Sequence, residues 1–462
     1  MGMQNMTRPE EALAIHRTMY GHGSTFLPLE DGRLLQACIG TLCFSEDGGL
    51  TWSGPVGEDV RGRGNKPMLS THRDAEGLPI GGTECSLVKL SGRNSIGLAA
   101  RVNEQGANLG APYAVDPQDM YFLFWRSDDA GETWSSPVRM TAPGVGTAGL
   151  QDTFLRTAGG RIILPVFHHL GQTLPWQRQR EPMSGRLVND GQWIGTAGHF
   201  FDPHFGSVYV VYSDDEGRTW QRNTDGDLTI LLDWNGLYSY VNETSITEAA
   251  PGRLLLMMRN GLGRLFQAWS DDNGETWTRP QPTLLASSTC PAQIRTLPNG
   301  HLLCVWNQET EDEIHRGLIR CRVSCAISRN GGGVWEFFQN LISYNEMRRV
   351  EPGPIRPARP METYYPAGQP ASERPSACID SSSFAWRASY PSVRVLDDRV
   401  IVTHTYTSYD EHPTQATMVS STTRDGYNQL QKVLPLSWFY GGREPDENPF
   451  LKTAYEPAKP AG

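Results

Sequence analysis

The sequence of 462 residues contains no uninterrupted apolar run of about 18 residues, so no helix of it is expected to span a membrane. Its opening, "MGMQNMTRPEEALAIHRTMYG", lacks the charged-then-apolar layout of a secretory leader, and a cytoplasmic location is expected. Cysteine is sparse and unorganised. The eight residues Cys38, Cys43, Cys85, Cys290, Cys304, Cys321, Cys325 and Cys378 form no C-x-x-C pair, which argues against a disulfide scaffold or a zinc site and leaves buried, reduced thiols. Positive charge is short as well. With 41 Lys and Arg against 51 Asp and Glu the formal charge is −10, so non-specific attraction to nucleic acid or to an anionic membrane is not expected. The neighbouring His168 and His169 in "LPVFHHLG" would point to opposite faces of a strand, and no metal or other cofactor is implied.

What the chain has in quantity is repetition. "SEDGGLTW" at Ser45–Trp52, "SDDAGETW" at Ser127–Trp134, "SDDEGRTW" at Ser213–Trp220 and "SDDNGETW" at Ser270–Trp277 are one phrase, with a worn copy, "SRNGGGVW", at Ser328–Trp335. Asp and Gly are turn residues: the carboxylate accepts hydrogen bonds from nearby backbone N–H groups, and glycine tolerates positive φ. Apolar runs such as "MYFLFWR" and "SVYVVY" precede the boxes and read as strands. Each box is therefore the tip of a hairpin, with its Trp packing between neighbouring units. The glycine spacing and terminal bidentate Glu of an EF-hand calcium loop are missing, so the boxes are structural.

A second phrase, strand, glycine-bearing turn, strand, occurs six times: "STFLPLEDGRLLQA", "CSLVKLSGRNSIGLAA", "DTFLRTAGGRIILPV", "TSITEAAPGRLLLMMR", "AQIRTLPNGHLLCVW" and "PSVRVLDDRVIVTHTY". Two strands from this phrase, one before the box and one after it make a four-stranded antiparallel sheet. Six such sheets predict an all-β, six-bladed β-propeller, with residues 1–462 as one domain. Long insertions near 102–118, 168–206 and 345–385 are candidates for loops that build or cover a site.

In a propeller the innermost strands all begin at one mouth of the central channel, so the residues that open the six phrases should converge there. They are His22, Glu84, Asp152, Glu243, Cys290 with Pro291, and Tyr390. Basic residues on the second strands and their flanks, Arg101, Arg259 and one or more of Arg316, Arg320 and Arg322, should join them. Carboxylates, a tyrosine and several arginines in one channel suit an anionic substrate.

Boxes of the form S-x-D-x-G-x-x-W on a six-bladed propeller resemble the sialidase (neuraminidase) superfamily across nearly the whole chain. "NETSITEAAPGRLLLMMRN" is similar to the sialidase segment in which a Glu opens one strand and an Arg ends the next, which implies roles for Glu243 and Arg259. "ASYPSVRVLDDRVIVTHTY" resembles the segment that supplies a tyrosine nucleophile, here Tyr390. "RCRVSCAISRNGGGVW" resembles the segment with a further carboxylate-binding Arg, best matched by Arg320. The resemblance implies a retaining exo-sialidase acting on a terminal acidic sugar of a glycoconjugate, Glu243 serving as base to Tyr390.

Two family features are missing. The first strand carries "GHGSTFLPLEDG", with His22 where an Arg is expected, and "LLQACIGTLCFSEDGG" is too tight to present the usual Asp general acid. The proton donor must then come from another blade, Asp152 first and Glu84 next, with Glu84 and Arg101 otherwise contacting substrate. The alternatives are a propeller glycosidase or polysaccharide lyase on another uronate-like sugar, using His22 and Tyr390, and a non-catalytic glycan-binding propeller.

Overall fold

The computed structural model describes residues 4–5, 11–18, 25–37, 41–54, 72–80, 82–102, 120–142, 149–150, 152–170, 188–189, 192–193, 205–231, 238–288, 290–315, 320–355, 386–408 and 429–445. These form six antiparallel blades. Blade II is Thr83–Lys89, Ile96–Val102, Tyr121–Ser127 and Val138–Arg139; blade IV is Asn242–Ala250, Arg253–Arg259, Arg264–Ser270 and Gln281–Ala286. Blade III is built in the same way from Leu155–Arg156, Ile162–Leu170, Phe205–Ser213 and Gln221–Arg222. Blade I has Thr25–Pro28, Leu34–Ala37 and Leu42–Ser45, with a bridge from Phe44 to Ser53 at the place of a fourth strand. The predicted architecture is met, and its inner-to-outer strand order follows the sequence.

The first residues of the chain depart from the simple repeat. Ala14–Thr18 pairs with Gln429–Pro435 and supplies the outermost strand of blade VI, beside Arg399–Ser408 and the inner Trp386–Val395. Gln4–Asn5 adds a fifth strand to blade V, which otherwise comprises Gln293–Thr296, Leu302–Trp306, Arg322–Ser328 and Glu336–Ser343. The ring is thus latched by a strand remote in sequence.

The core lies between the blades. Each junction has its own apolar cluster, and the period-two alternation of a strand sends neighbouring residues to different ones. Leu98 packs in the cluster between blades I and II while Ala99 packs between II and III; Leu254 and Leu255 divide likewise between the clusters on either side of blade IV. Strands covered on both faces need apolar side chains at successive positions, which is why "RLLLMMR" and "HLLCVW" carry continuous runs.

The boxes behave as hairpin tips. In blade II Ser127 Oγ donates to Asp129 at 2.7 Å and accepts the Gly131 N–H at 2.8 Å, while Asp129 also accepts the Thr133 N–H at 2.9 Å. Asn330 in the worn copy keeps the equivalent bonds to Ser328 and Val334. Glycine at the fifth position is required twice over: Gly217 has φ +78, and a Cβ there would overlap the Phe124 ring of the neighbouring blade. Trp134 and Trp277 are buried between blades, as expected. Ser127 sits opposite Ile96, which pairs with Lys89 at the far end of the inner strand from Glu84, so the boxes occupy the end of the blade away from the channel-opening residues.

The six cysteines among the described residues, Cys43, Cys85, Cys290, Cys304, Cys321 and Cys325, are buried free thiols. Cys38 and Cys378 lie outside the described residues. So do nearly all of the 102–118 stretch, most of the 168–206 insertion and most of the 345–385 insertion. No described helix is long and apolar enough to cross a membrane.

Candidate active site

Four inner strands open with the same backbone device. Glu84, Asp152, Glu243 and Tyr390 have φ of 55°, 56°, 36° and 53°, in the left-handed region that side chains other than glycine rarely occupy. In blades II, IV and VI this residue sits in a bulge, between the pairs Thr83↔Arg101 and Ser86↔Ala99, Asn242↔Arg259 and Ser245↔Met257, and Ser389↔Thr405 and Ser392↔Thr403. A bulge re-aims one side chain, and non-glycine residues held at positive φ concentrate at functional sites. Hydroxyls just beyond the bulges fasten the inner strands to one another: Ser86 Oγ accepts the Thr153 N–H at 3.2 Å, and Ser245 Oγ accepts the Ile294 N–H at 3.1 Å.

Blades IV, V and VI meet around Tyr390. Its hydroxyl donates to Glu243 Oε1 at 3.0 Å, Arg259 pairs with the other oxygen of that carboxylate, and an Arg259 terminal nitrogen stands 3.4 Å from the phenol oxygen. The Arg320 guanidinium lies over the Tyr390 ring, 5.0 Å from its centroid. Burial pushes the Tyr390 phenol up to about 12, the Glu243 carboxylate adds to the rise, and Arg259 with Arg320 offsets part of it. Arg259 is 1% exposed, and its Nε has no hydrogen-bond partner among the described residues. Burial would lower Arg259, but the Glu243 carboxylate holds it firmly charged. The cluster is a neutral phenol, one proton acceptor and two cations, with Tyr390 and Glu243 buried and Arg320 partly exposed.

Arg320 rather than Arg322 is the residue of its segment that reaches the site; Arg316 lies outside the described residues. Arg322 is fully buried in another network, bonded to Glu313 at 2.9 Å, to Asn345 at 2.8 Å and to the Gln308 carbonyl at 2.8 Å. That network supports Arg320 from behind. Glu309 Oε1 accepts the N–H of Cys321 at 2.9 Å, and Arg320 itself has φ 61 and donates from Nε to Cys290 Sγ at 3.1 Å. The Ala388 N–H donates to the Arg320 carbonyl at 2.9 Å, and Asn307 donates to the Ala388 carbonyl at 2.7 Å, tying the Tyr390 strand to blade V.

Glu84 and Arg101 sit in blade II, their charged atoms 3.0 Å apart, and the Gly149 N–H donates to the other Glu84 oxygen at 2.8 Å. Burial drives Glu84 up to about 7 against the pull of Arg101 and Gly149, with a further push from Glu243.

The expectation that Asp152 is the first choice of proton donor is corrected by its surroundings. Arg295 and Arg394 each donate to it at 3.1 Å, Thr25 Oγ donates at 3.2 Å, and its side chain is 1% exposed. Both of its carboxylate oxygens are already engaged by guanidiniums. Those two arginines, in "QIRTL" and "SVRVL", occupy one position of the recurring phrase, and that coincidence was the available pointer to them. His22 lies outside the described residues. Among the described residues no group of three or more His, Cys, Asp and Glu forms a metal site.

Comparison with known proteins agrees with the repeat and the fold. The family described as BNR repeat-like domain matches residues 99–402. A curated sialidase of Bacteroides fragilis (strain YCH46) is 24% identical over 316 residues, which is 64% of this chain and 48% of that protein, so the match spans about half of the relative. A crystal structure of a protein of unknown function from Dyadobacter fermentans DSM 18053 superposes with TM-score 0.50 at 14% identity, over 92% of this chain and 98% of that one. The NanB sialidase of Streptococcus pneumoniae gives TM-score 0.49 at 12% identity, over 95% of this chain and 71% of the other. The resemblance to the sialidase superfamily is met, and with the repeat, the six blades and the match over residues 99–402 in agreement, the chain belongs to the BNR repeat-like domain family.

Proposed function

We propose that the protein is a glycosidase that removes a terminal acidic sugar of the sialic acid type, with retention of configuration through a tyrosyl intermediate. The contact between the Tyr390 hydroxyl and Glu243 at 3.0 Å carries this reading. A sugar with a carboxylate on its anomeric carbon repels a carboxylate nucleophile, whereas a neutral phenol is not repelled; sialidases are the known exception that uses tyrosine. A phenol raised to about 12 stays neutral until it attacks, and Glu243 is placed to take its proton as the bond to carbon forms. Arg259 beside the phenol oxygen stabilises the charge that develops there, and Arg259 and Arg320 together suit a carboxylate through charge-assisted hydrogen bonds. The similarity to a bacterial sialidase supports the same substrate class.

The test is turnover of aryl glycosides of sialic and uronic acids, with the first-formed product followed by NMR. Release of sialic acid in its original anomeric configuration is expected. Inversion would overturn the tyrosyl mechanism, an unsaturated uronate would select a lyase, and binding without turnover would select a glycan-binding propeller.

A further inference from the structure

Blade II repeats the working half of blade IV. Thr83 pairs with Arg101 as Asn242 pairs with Arg259; a bulge follows in each, headed by Glu84 and Glu243; and Ser86 and Ser245 resume the ladder and accept an N–H from the next blade. In both, the carboxylate is ion-paired to the arginine that ends or nearly ends the second strand. The copies differ in what surrounds them. The Glu243 side chain is 7% exposed and its partner 1%, with Tyr390 on one oxygen; the Glu84 side chain is 23% exposed and Gly149 stands where a phenol would be. Of the three carboxylates that head these strands, Asp152 is held by Arg295 and Arg394 and Glu243 is engaged with Tyr390, and Glu84 is the most exposed of the three.

We infer that Glu84 is the acid and base of the reaction proposed above, donating a proton to the departing glycosidic oxygen and later taking one from water. The inference rests on that reading. In the first step the anomeric carbon forms a bond to the Tyr390 oxygen and loses its bond to the leaving oxygen; Glu243 takes the phenol proton, and the leaving group takes the Glu84 proton. In the second step water attacks the anomeric carbon, its proton passes to the Glu84 carboxylate, and the released Tyr390 oxygen recovers its proton from Glu243. Both steps balance, and each carboxyl ends as it began.

The charged groups that bear on Glu84 are Arg101 on the next strand of its own blade and Glu243 across the channel, with the Gly149 N–H as the remaining polar contact. Burial and Glu243 outweigh the other two, so the group still holds its proton up to about pH 7. Its carboxylate form, in turn, is held in place by Arg101 and Gly149 during the second step.

The experiment compares wild type and Glu84→Gln on two sialosides, one with an unactivated sugar alcohol as leaving group and one with nitrophenolate. The variant is expected to lose about 10²–10⁴-fold in kcat/KM on the first, as for loss of a general acid, and less than about tenfold on the second. The fall of kcat/KM above pH about 7 should vanish for the nitrophenyl substrate. Azide should accelerate turnover by Glu84→Ala, since an anionic nucleophile needs no base. An active wild type whose variant loses both substrates equally, with no azide effect, overturns the role of Glu84 alone. A wild type that cleaves neither sialoside overturns the parent reading with it. Melting temperatures of both variants within a few degrees of wild type are expected, and a large drop accompanied by equal losses would make Glu84 a structural partner of Arg101.

Discussion

Tyr390 and Glu243 share a single proton across 3.0 Å, and removing either end has a different consequence. Tyr390→Phe deletes one oxygen and leaves the ring under Arg320, so turnover should vanish while the affinity for a non-hydrolysed sugar, read by calorimetry, stays within a few-fold of wild type. Glu243→Gln should lower kcat by about 10²–10⁴-fold. It also strips a buried guanidinium of its counter-charge, which costs about 3–5 kcal/mol in comparable sites, so its denaturation midpoint should fall where that of Tyr390→Phe does not. Arg259→Lys keeps the charge and loses the planar fork. It should weaken binding of a sialic acid far more than binding of its methyl ester; equal losses would show that Arg259 does not read the carboxylate. At this scale the repeat register led to Glu243, Arg259 and Tyr390, which meet in the structure, whereas Arg320 was singled out by the resemblance alone and stands two residues before its strand. The register misled at Asp152, because Arg295 and Arg394 approach from blades V and VI, far along the chain, and only the assembled ring brings them together.

Elements carry their own tests. Asp152 joins blades I, III, V and VI through Thr25, Arg295 and Arg394. Asp152→Asn should therefore lower stability by about 3–5 kcal/mol, as breaking a buried pair does, and should damage good and poor leaving groups alike. Glu309, buried under the Arg320 loop, is pushed up to about 8 from the ordinary 4.5 by burial, with Glu313 adding to the rise. The folded protein binds that proton more tightly than the unfolded chain, so the associated stability is full below pH about 4.5 and declines as pH rises toward about 8. Glu84, raised to about 7, acts in the same direction. Urea midpoints of Glu309→Gln across this window should slope less than those of wild type; an unchanged slope would remove Glu309 from the account. The boxes were legible because their bonds are local, within an octapeptide. The Glu309, Glu313 and Arg322 network was not, since a short helix, Glu311–His315, folds the carboxylates back onto the following strand.

The whole molecule is a ring whose count of blades was readable from six recurring phrases, whereas its closure was not. Nothing in "ALAIHRTM" marks it as the outer strand of the last blade; it lacks the repeat's turn and box, and only pairing with Gln429–Pro435 defines it. Deleting residues 1–18 should expose that edge, lower the melting temperature by several degrees and abolish slow amide exchange in Gln429–Pro435 while leaving blade II protected. Uniform loss of protection around the ring would mean instead that the blades unfold as one unit.

The latch also sets an order of events during synthesis. Trp438 donates to Glu11 across 427 residues, so Ala14–Thr18 finds its partner only once the last blade has been made. Until then the opening segment must wait unpaired, and blade VI has no outer strand to complete it. Contacts this remote in sequence make for slow folding, and an unpaired edge is a place where another chain can add. A nascent or refolding protein is accordingly most exposed to strand exchange between copies at this one seam, and refolding yield should fall with concentration unless a synthetic peptide of residues 11–18 is supplied to occupy it.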